Sequence, residues 1–254
     1  MSAFDEDLPP LDCHAHIAPD VTTDQVSGLG GAIVFAVTRS IAEASYAVAH
    51  GDPGLIWGAG VHPGDPDALK TFTADGFAEI VKSVGLVGEV GLHRRGLDLI
   101  RQREVFGEIL RACSGEPVLL SIHSAGATTE IVELVGRQPH PGAILHWFLG
   151  DAAAIERARS LGCYFSASGA IPDDRLALYP QDRLLPETDF PAGGRGAGRQ
   201  PGDTTSLEER LAAIWMTSAM EVRHRLYRNL KAIALDSGAV ERLPERLQDF
   251  LLMA

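Results

Sequence analysis

Six of the nine histidines, His14, His16, His62, His93, His123 and His146, stand at or just after the ends of short, apolar, β-rich runs. Glu89 closes the fourth of these runs, and Glu187 with Asp189 closes the eighth. Imidazole nitrogens and carboxylate oxygens together suit zinc, manganese or iron, and suit magnesium less well on softness grounds. His14 and His16 are separated by one residue, and the period of two in a strand sends both side chains to one face, where two imidazoles can reach one cation. That pair alone is equally well explained as two surface histidines. Adding His123, His146, Glu89 and Asp189 changes the balance, because so many imidazoles and carboxylates gathered without a cation are costly to desolvate and repel one another.

The ligand count permits two divalent ions (zinc, manganese or magnesium), with Glu89, midway in the strand order, as the shared carboxylate. Two ions about 4 Å apart activate a water and stabilise a leaving oxygen, the arrangement used to cleave phosphodiesters. Asp189 can be a ligand and also take the proton of that water. His62 lies in Gly60-Val61-His62-Pro63, a strand end running into a turn. It is either a structural histidine held by the turn or, in the reading preferred here, a group facing substrate. His93 has a weaker case, and His50, His140 and His224 receive no function.

Residues that meet in this way need elements to bring them together. The expected strands are Leu11–Cys13, Ala32–Ala36, Ile56–Val61, Gly85–Glu89, Val118–Ile122, Ala143–His146, Tyr164–Ser166 and Leu184–Pro186. Between them lie stripes at helical spacing, clearest in Gln102–Ser114, where Val105, Phe106, Ile109, Leu110 and Cys113 share a face. Similar stripes cover Ile41–Ala49, Phe77–Val84, Thr128–Val135 and Ala152–Leu161. Strand then helix, repeated, implies parallel strands with helical crossovers. Eight strands point to a (β/α)₈ TIM-like barrel, with a doubly wound open sheet as the structural alternative. In a barrel the strand ends converge on one face, where active sites lie. The glycine-rich stretch Ala192–Gly202, carrying Arg195 and Arg199, reads as a flexible loop or lid. Helix is expected from Ser206 to about Leu235 and from Pro244 to the end, so residues 1–254 form one domain with a helical C-terminal region.

The bulk properties fit this picture. The 254 residues, 45% of them hydrophobic and 22% charged, suit one large α/β domain with ample core. No run of about 18 apolar residues is present, so no membrane span is expected. The acidic N-terminal stretch Met1–Pro10 lacks the pattern of a secretory leader. Cys13, Cys113 and Cys163 are odd in number and have no CxxC spacing, which suits buried, reduced thiols in the cytoplasm. The net charge of −12 disfavours a long passive grip on duplex DNA. Anionic substrates stay open to it if bound metals and a few arginines supply local positive charge.

Six segments, in order, resemble the TatD-type metal-dependent deoxyribonucleases of the amidohydrolase superfamily. They are Asp12-Cys13-His14-Ala15-His16, Gly60-Val61-His62-Pro63, Gly88-Glu89-Val90-Gly91-Leu92, Ser121-Ile122-His123-Ser124, His146-Trp147-Phe148-Leu149-Gly150 and Glu187-Thr188-Asp189-Phe190-Pro191. Asn229, ahead of Leu230, also looks like the family's late asparagine. The resemblance implies that His14, His16 and Asp189 hold one metal and His123 and His146 a second, with Glu89 bridging and His62 facing the substrate phosphate. The activity it implies is phosphodiester hydrolysis, typically exonucleolytic on DNA ends. Ser121–Ser124, His146–Phe148 and Gly162–Ser166 look most like the QatD branch, the TatD-like component of bacterial Qat anti-phage systems. That branch implies defence beside an ATPase and a partner resembling the QueC enzyme.

Two departures from the family are visible. His93, followed by Arg94 and Arg95, stands where the family usually has an aspartate. Ala125 and Gly126 stand where an arginine often follows the His123 position, so a candidate phosphate contact is missing, and Arg94 or Arg95 is available to replace it. Two other readings therefore stand beside the phosphodiesterase. One is an amidohydrolase acting on a small amide, ester or modified base, for which one metal suffices. The other is a metal-bearing interaction subunit of a defence complex.

Overall fold

The computed structural model describes residues 8–96, 98–192 and 196–254. The acidic stretch before residue 8 and Arg195 of the glycine-rich loop lie outside the described residues. Eight parallel strands follow one another around a single sheet in chain order: β1 (Leu11–His16), β2 (Ile33–Val37), β3 (Ile56–Ala59), β4 (Leu86–Gly91), β5 (Leu119–His123), β6 (Ala143–His146), β7 (Tyr164–Ser168) and β8 (Leu184–Glu187). The ring closes beyond β8. There the Asp189 N–H donates to the His14 carbonyl (2.9 Å) and the His16 N–H to the Phe190 carbonyl (2.8 Å). This is the (β/α)₈ TIM-like barrel and not an open sheet.

The intervening helices are α1 (Thr23–Ser27), α2 (Ile41–His50), α3 (Pro66–Thr71), α4 (Ala74–Val81), α5 (Leu99–Ala112), α6 (Thr128–Arg137), α7 (Ala152–Ser160) and α8 (Asp173–Leu176). All but α6, which follows Ala127, start where a short polar side chain or a proline ends the preceding loop. In α5, for example, the Asp98 carboxylate accepts the Arg101 N–H, and Val105, Phe106, Ile109 and Leu110 are buried. Past the barrel come α9 (Thr205–Trp215), α10 (Ala219–Asp236) and α11 (Glu245–Met253). The single helix expected from Ser206 onward is thus two. Met216 adopts a left-handed backbone (φ 54°), and Ser218 caps α10 by accepting the Glu221 N–H. The glycine-rich loop is packed in its described second half, where Pro201 and Gly202 are buried.

The two ends of the barrel differ. Leu11, Ile33, Leu86, Leu119 and Tyr164, each the first residue of its strand, cluster with Tyr227 and Leu230 of α10 and Leu247 and Leu251 of α11. One rim is thereby sealed with apolar side chains. Asn229 fastens the same rim, donating from Nδ2 to the Gln181 and Leu184 carbonyls, both at 2.8 Å. The opposite rim carries His16, His123, His146 and Glu187 as the last residues of β1, β5, β6 and β8. Cys13, Cys113 and Cys163 are buried, unpaired thiols, as the sequence reading holds.

Candidate metal centre

Glu89, on β4, is 1% exposed and is the hub of this open rim. Its Oε1 touches His123 Nδ1 and lies 3.0 Å from His146 Nε2, while those two nitrogens are 3.1 Å apart. Its Oε2 lies 3.0 Å from His16 Nε2, 3.3 Å from His62 Nε2 and 3.8 Å from His14 Nε2. Asp189 Oδ1 faces the same two β1 histidines, 3.5 Å from His14 Nε2 and 3.7 Å from His16 Nε2. All seven residues singled out as catalytic groups or ligands, or as facing substrate, therefore meet: five histidines divide between the two oxygens of Glu89, and Asp189 faces two of them. Beside Glu89 the backbone is tightly packed: a Cβ on Gly60 would fall 1.8 Å from the Thr38 carbonyl oxygen and 2.6 Å from Glu89 N, so only glycine fits.

Whether this set suits a cation is tested by its unsatisfied atoms. His14 Nε2 and Glu89 Oε2 are buried and have no hydrogen-bond partner. Buried polar atoms are almost always satisfied, and an orphaned lone pair on each of two ligand-type atoms fits a cation. Three overlapping donor groups can be drawn: His14–His16–Asp189, His14–Glu89–His146 and His62–Glu89–His123. In the last, His62 is better described as a hydrogen-bond donor than as a ligand. Its Nδ1 accepts the Gly64 N–H at 3.0 Å, which leaves the ring proton on Nε2. Burial pushes its pKa down to about 4, so the ring is neutral and its Nε2–H faces Glu89 Oε2.

The remaining charges follow from position. Burial alone would raise the Glu89 carboxyl, but His146 and His123 hold it well below the usual carboxylate range. Burial lowers His14 well below the ordinary histidine value, aided by His146. Burial also opposes protonation of His146, yet Glu187 and Glu89 on either side outweigh it and raise its pKa. Burial raises the Asp189 carboxyl to about 7, although His146 works against it, with Glu187 and Glu89 adding to the rise.

Behind these side chains lies a layer of polar groups, of which sequence reasoning noted only Glu187, as closing the eighth strand. His14 Nδ1 meets Ser121 Oγ at 2.6 Å. Glu187 accepts the Trp147 N–H (3.0 Å) and the Ser166 hydroxyl, and lies 3.5 Å from His146 Nδ1. Asp12, fully buried, accepts from the N–H (2.9 Å) and hydroxyl (2.6 Å) of Thr188, from the Gly202 N–H (2.8 Å) and from the His14 N–H (3.2 Å). These are the outer hydrogen bonds that fix ligand orientation in metal sites. Asp12 and Glu187 sat inside the quoted motifs, and an acidic residue two positions before a ligand pair was the available signal.

His93 occupies such an outer place too. Its Nδ1 is 2.9 Å from His123 Nε2, with the rings stacked at a centroid distance of 5.1 Å. Arg94 and Arg95 are exposed on the rim, and the Arg94 side chain lies against Gly126, where a Cβ would meet its Cβ at 3.1 Å. Arg39, also exposed, follows β2 on the His62 side. Local positive charge is therefore available at the mouth of an acidic protein. A larger hollow of about 610 Å³ lies elsewhere, between α6 and α7, and includes none of these groups.

Comparison with known proteins agrees with this geometry. The model of the family described as TatD related DNase matches residues 11–234. The chain is similar to the 3'-5' ssDNA/RNA exonuclease TatD of Edwardsiella piscicida, with 31% identity over 180 residues that make up 65% of this chain and 69% of that protein. In structure it is similar to a TatD homolog from Escherichia coli K12, with a TM-score of 0.76, 22% identity and coverage of 88% of this chain and 96% of that one. It is also similar to a hydrolase TatD family protein from Entamoeba histolytica, with a TM-score of 0.73, 15% identity and coverage of 89% and 98%.

Proposed function

The chain belongs to the TatD-related DNase family of metal-dependent hydrolases, within the amidohydrolase superfamily, and on that premise we propose that it hydrolyses phosphodiester bonds in DNA or another nucleotide-containing substrate. The acting unit in this reading is a single domain over residues 1–254. The observation that carries the proposal is the division of Glu89, with one oxygen toward His123 and His146 and the other toward His14 and His16. A carboxylate shared in this way suits two divalent cations, zinc, manganese or magnesium. His14, His16 and Asp189 would hold one, His123 and His146 the other, and Glu89 both.

Such cations, when bound, lower the pKa of water and offset the negative charge that develops during phosphodiester cleavage. The protein's own groups do the rest. Asp189, whose Oδ1 lies 3.5 Å from His14 Nε2 and 3.7 Å from His16 Nε2, is the carboxylate placed to accept the proton of an attacking water. His62 presents the N–H of a neutral ring to a phosphate oxygen, as a hydrogen-bond donor and not as a charge. Arg39, Arg94 and Arg95 draw the anionic backbone to the mouth.

In the cell, this reading assigns the chain to anti-phage defence, beside an ATPase and a QueC-like partner. The support for that is the likeness of Ser121–Ser124, His146–Phe148 and Gly162–Ser166 to the QatD branch. Copurification with the products of neighbouring genes tests it, and recovery of the chain alone would count against it.

The activity is tested by removing metal from the purified chain, titrating back zinc, manganese or magnesium, and offering end-labelled single-stranded DNA alongside amide and ester substrates. Cleavage that needs two ions per chain and is lost in Glu89→Gln is the expected result. Amide turnover with one ion and no phosphodiester cleavage would overturn the proposal.

A further inference from the structure

Beside the cluster lies a hollow of about 330 Å³ whose lining includes His123, His146 and Asp189 together with Trp147, Leu149, Ala125 and Ala192. Its lining joins members of the donor set to the apolar side chains of Trp147 and Leu149, with Ser124 and Thr128 adding two hydroxyls. Leu149 is 53% exposed and adds apolar surface to the mouth of the hollow. Trp147 has a left-handed backbone (φ 39°), a conformation unfavourable for any residue but glycine and especially for a bulky one. Glu187 holds it there by accepting the Trp147 N–H at 3.0 Å. Strain of this kind persists where surrounding structure enforces it, and it clusters at binding sites. The room itself comes from the β5 loop, where Ala125 and Gly126 (φ 68°) carry no bulk into the space.

We propose that this hollow is a subsite for one nucleobase, that of the nucleotide next to the phosphate being cleaved, stacked on Trp147 and flanked by Leu149. The proposal rests on the phosphodiesterase reading for its substrate and goes beyond it by stating how the substrate is seated. A planar heterocycle fits because it offers an apolar face to Trp147 while its sugar-phosphate remains beside His123, His146 and Asp189, which share the hollow. The volume falls at the lower end of small-ligand pockets, about 300–1,000 Å³, which suits a single nucleoside and not a stretch of strand. The arginines lie outside it: Arg39 follows β2 and Arg95 follows β4, so the rest of the strand leaves across that part of the rim. Stacking tolerates any base, because every base has a π-face. Sequence-tolerant cleavage is therefore expected.

Two measurements test the subsite, one independent of activity. In metal-free protein, deoxyadenosine 5′-monophosphate should quench tryptophan emission saturably, and 2-deoxyribose 5-phosphate should not. The quench should vanish in Trp147→Phe, which separates Trp147 from Trp57 and Trp215. With metal restored, the wild type should cleave a DNA end bearing a normal terminal base roughly 10- to 100-fold faster than an end whose terminal residue is abasic. That preference should collapse in Trp147→Ala and fall in Leu149→Gln, an exposed position whose replacement leaves packing intact, while Trp147→Phe restores most of it. Equal quenching by the sugar phosphate, or equal rates on the two ends in the wild type, would overturn the subsite. Absence of any phosphodiester cleavage would overturn the activity instead, and the quenching experiment would still decide the subsite.

Discussion

His62→Ala separates a donor from a ligand, and its effect follows from two contacts. Because the Gly64 N–H occupies Nδ1 at 3.0 Å, the proton sits on Nε2, 3.3 Å from Glu89 Oε2. A nitrogen that carries a proton has no lone pair for a cation. The variant should therefore keep its full complement of metal. What it loses is a neutral N–H donor, whose hydrogen bond to a charged oxygen is worth about 1.5–3 kcal/mol. If that bond forms to substrate in the transition state, kcat/KM falls about 10- to 150-fold. His62→Gln keeps an N–H donor and should recover part of the loss. Elemental analysis after desalting, paired with initial rates on labelled DNA, gives both numbers. With a pKa near 4, His62 should add no inflection to the rate profile above about pH 5. Loss of one metal equivalent in His62→Ala would refute the tautomer argument and make His62 a ligand.

Three further outcomes follow from other contacts. His93→Ala removes the partner of His123 Nε2 and should weaken cation affinity of the apoprotein about 10- to 100-fold by calorimetry, while His93→Asp retains an acceptor and should not; equal affinities would show that His93 orients nothing. Asn229→Ala removes a donor from the buried Leu184 carbonyl and from the part-buried Gln181 carbonyl, a loss of about 2 kcal/mol. It should lower the melting temperature by about 5–10 °C without changing metal content, and a weakened metal site would contradict its placement on the sealed rim. Burial pushes Cys113 and Cys163 up to about 12 and Cys13 well above the usual thiol value, so the native protein should release no colour from Ellman's reagent at pH 8, where the thiolate fraction of the first two is about 10⁻⁴; fast native labelling would mean that a thiol is reachable.

All eight strands were legible, because each is a short, apolar run ended by a polar residue, and parallel strands covered on both sides need no other signal. The long helices were legible for a similar reason, with stripes such as Ile131, Val132 and Val135 marking the buried face of α6. The short helices α1, α3 and α8 have too few turns for a stripe. Their signals were caps, as in the reciprocal Thr22–Gln25 pair and in Asp65 ahead of Pro66, and these went unread. The break at Met216 carries neither glycine nor proline, so apolar spacing ran straight through it.

At the rim, the histidines and carboxylates betrayed themselves by falling on strand ends. Their supports did not. Asp12 is tied to Thr188 across 176 residues of chain, and Ser121 to His14 across 107, and no periodicity encodes a pairing of that range. His93 was noticed as a strand-end histidine with a weak case and as a departure from a family pattern, and its contact with His123 gives that departure a physical role.

The junction of β1 with the residues after β8 has a consequence for how the protein is made. A nascent chain that has emerged through β7 already carries His14, His16, Glu89, His123 and His146. It lacks Asp189, and it lacks the Thr188 and Gly202 donors that hold Asp12 in place. The proposed ligand set thus stays incomplete until the final strand has left the ribosome and joined the first. Only the His14–His16–Asp189 part of the set waits for the end of synthesis, because Glu89, His123 and His146 are all present once β6 has emerged.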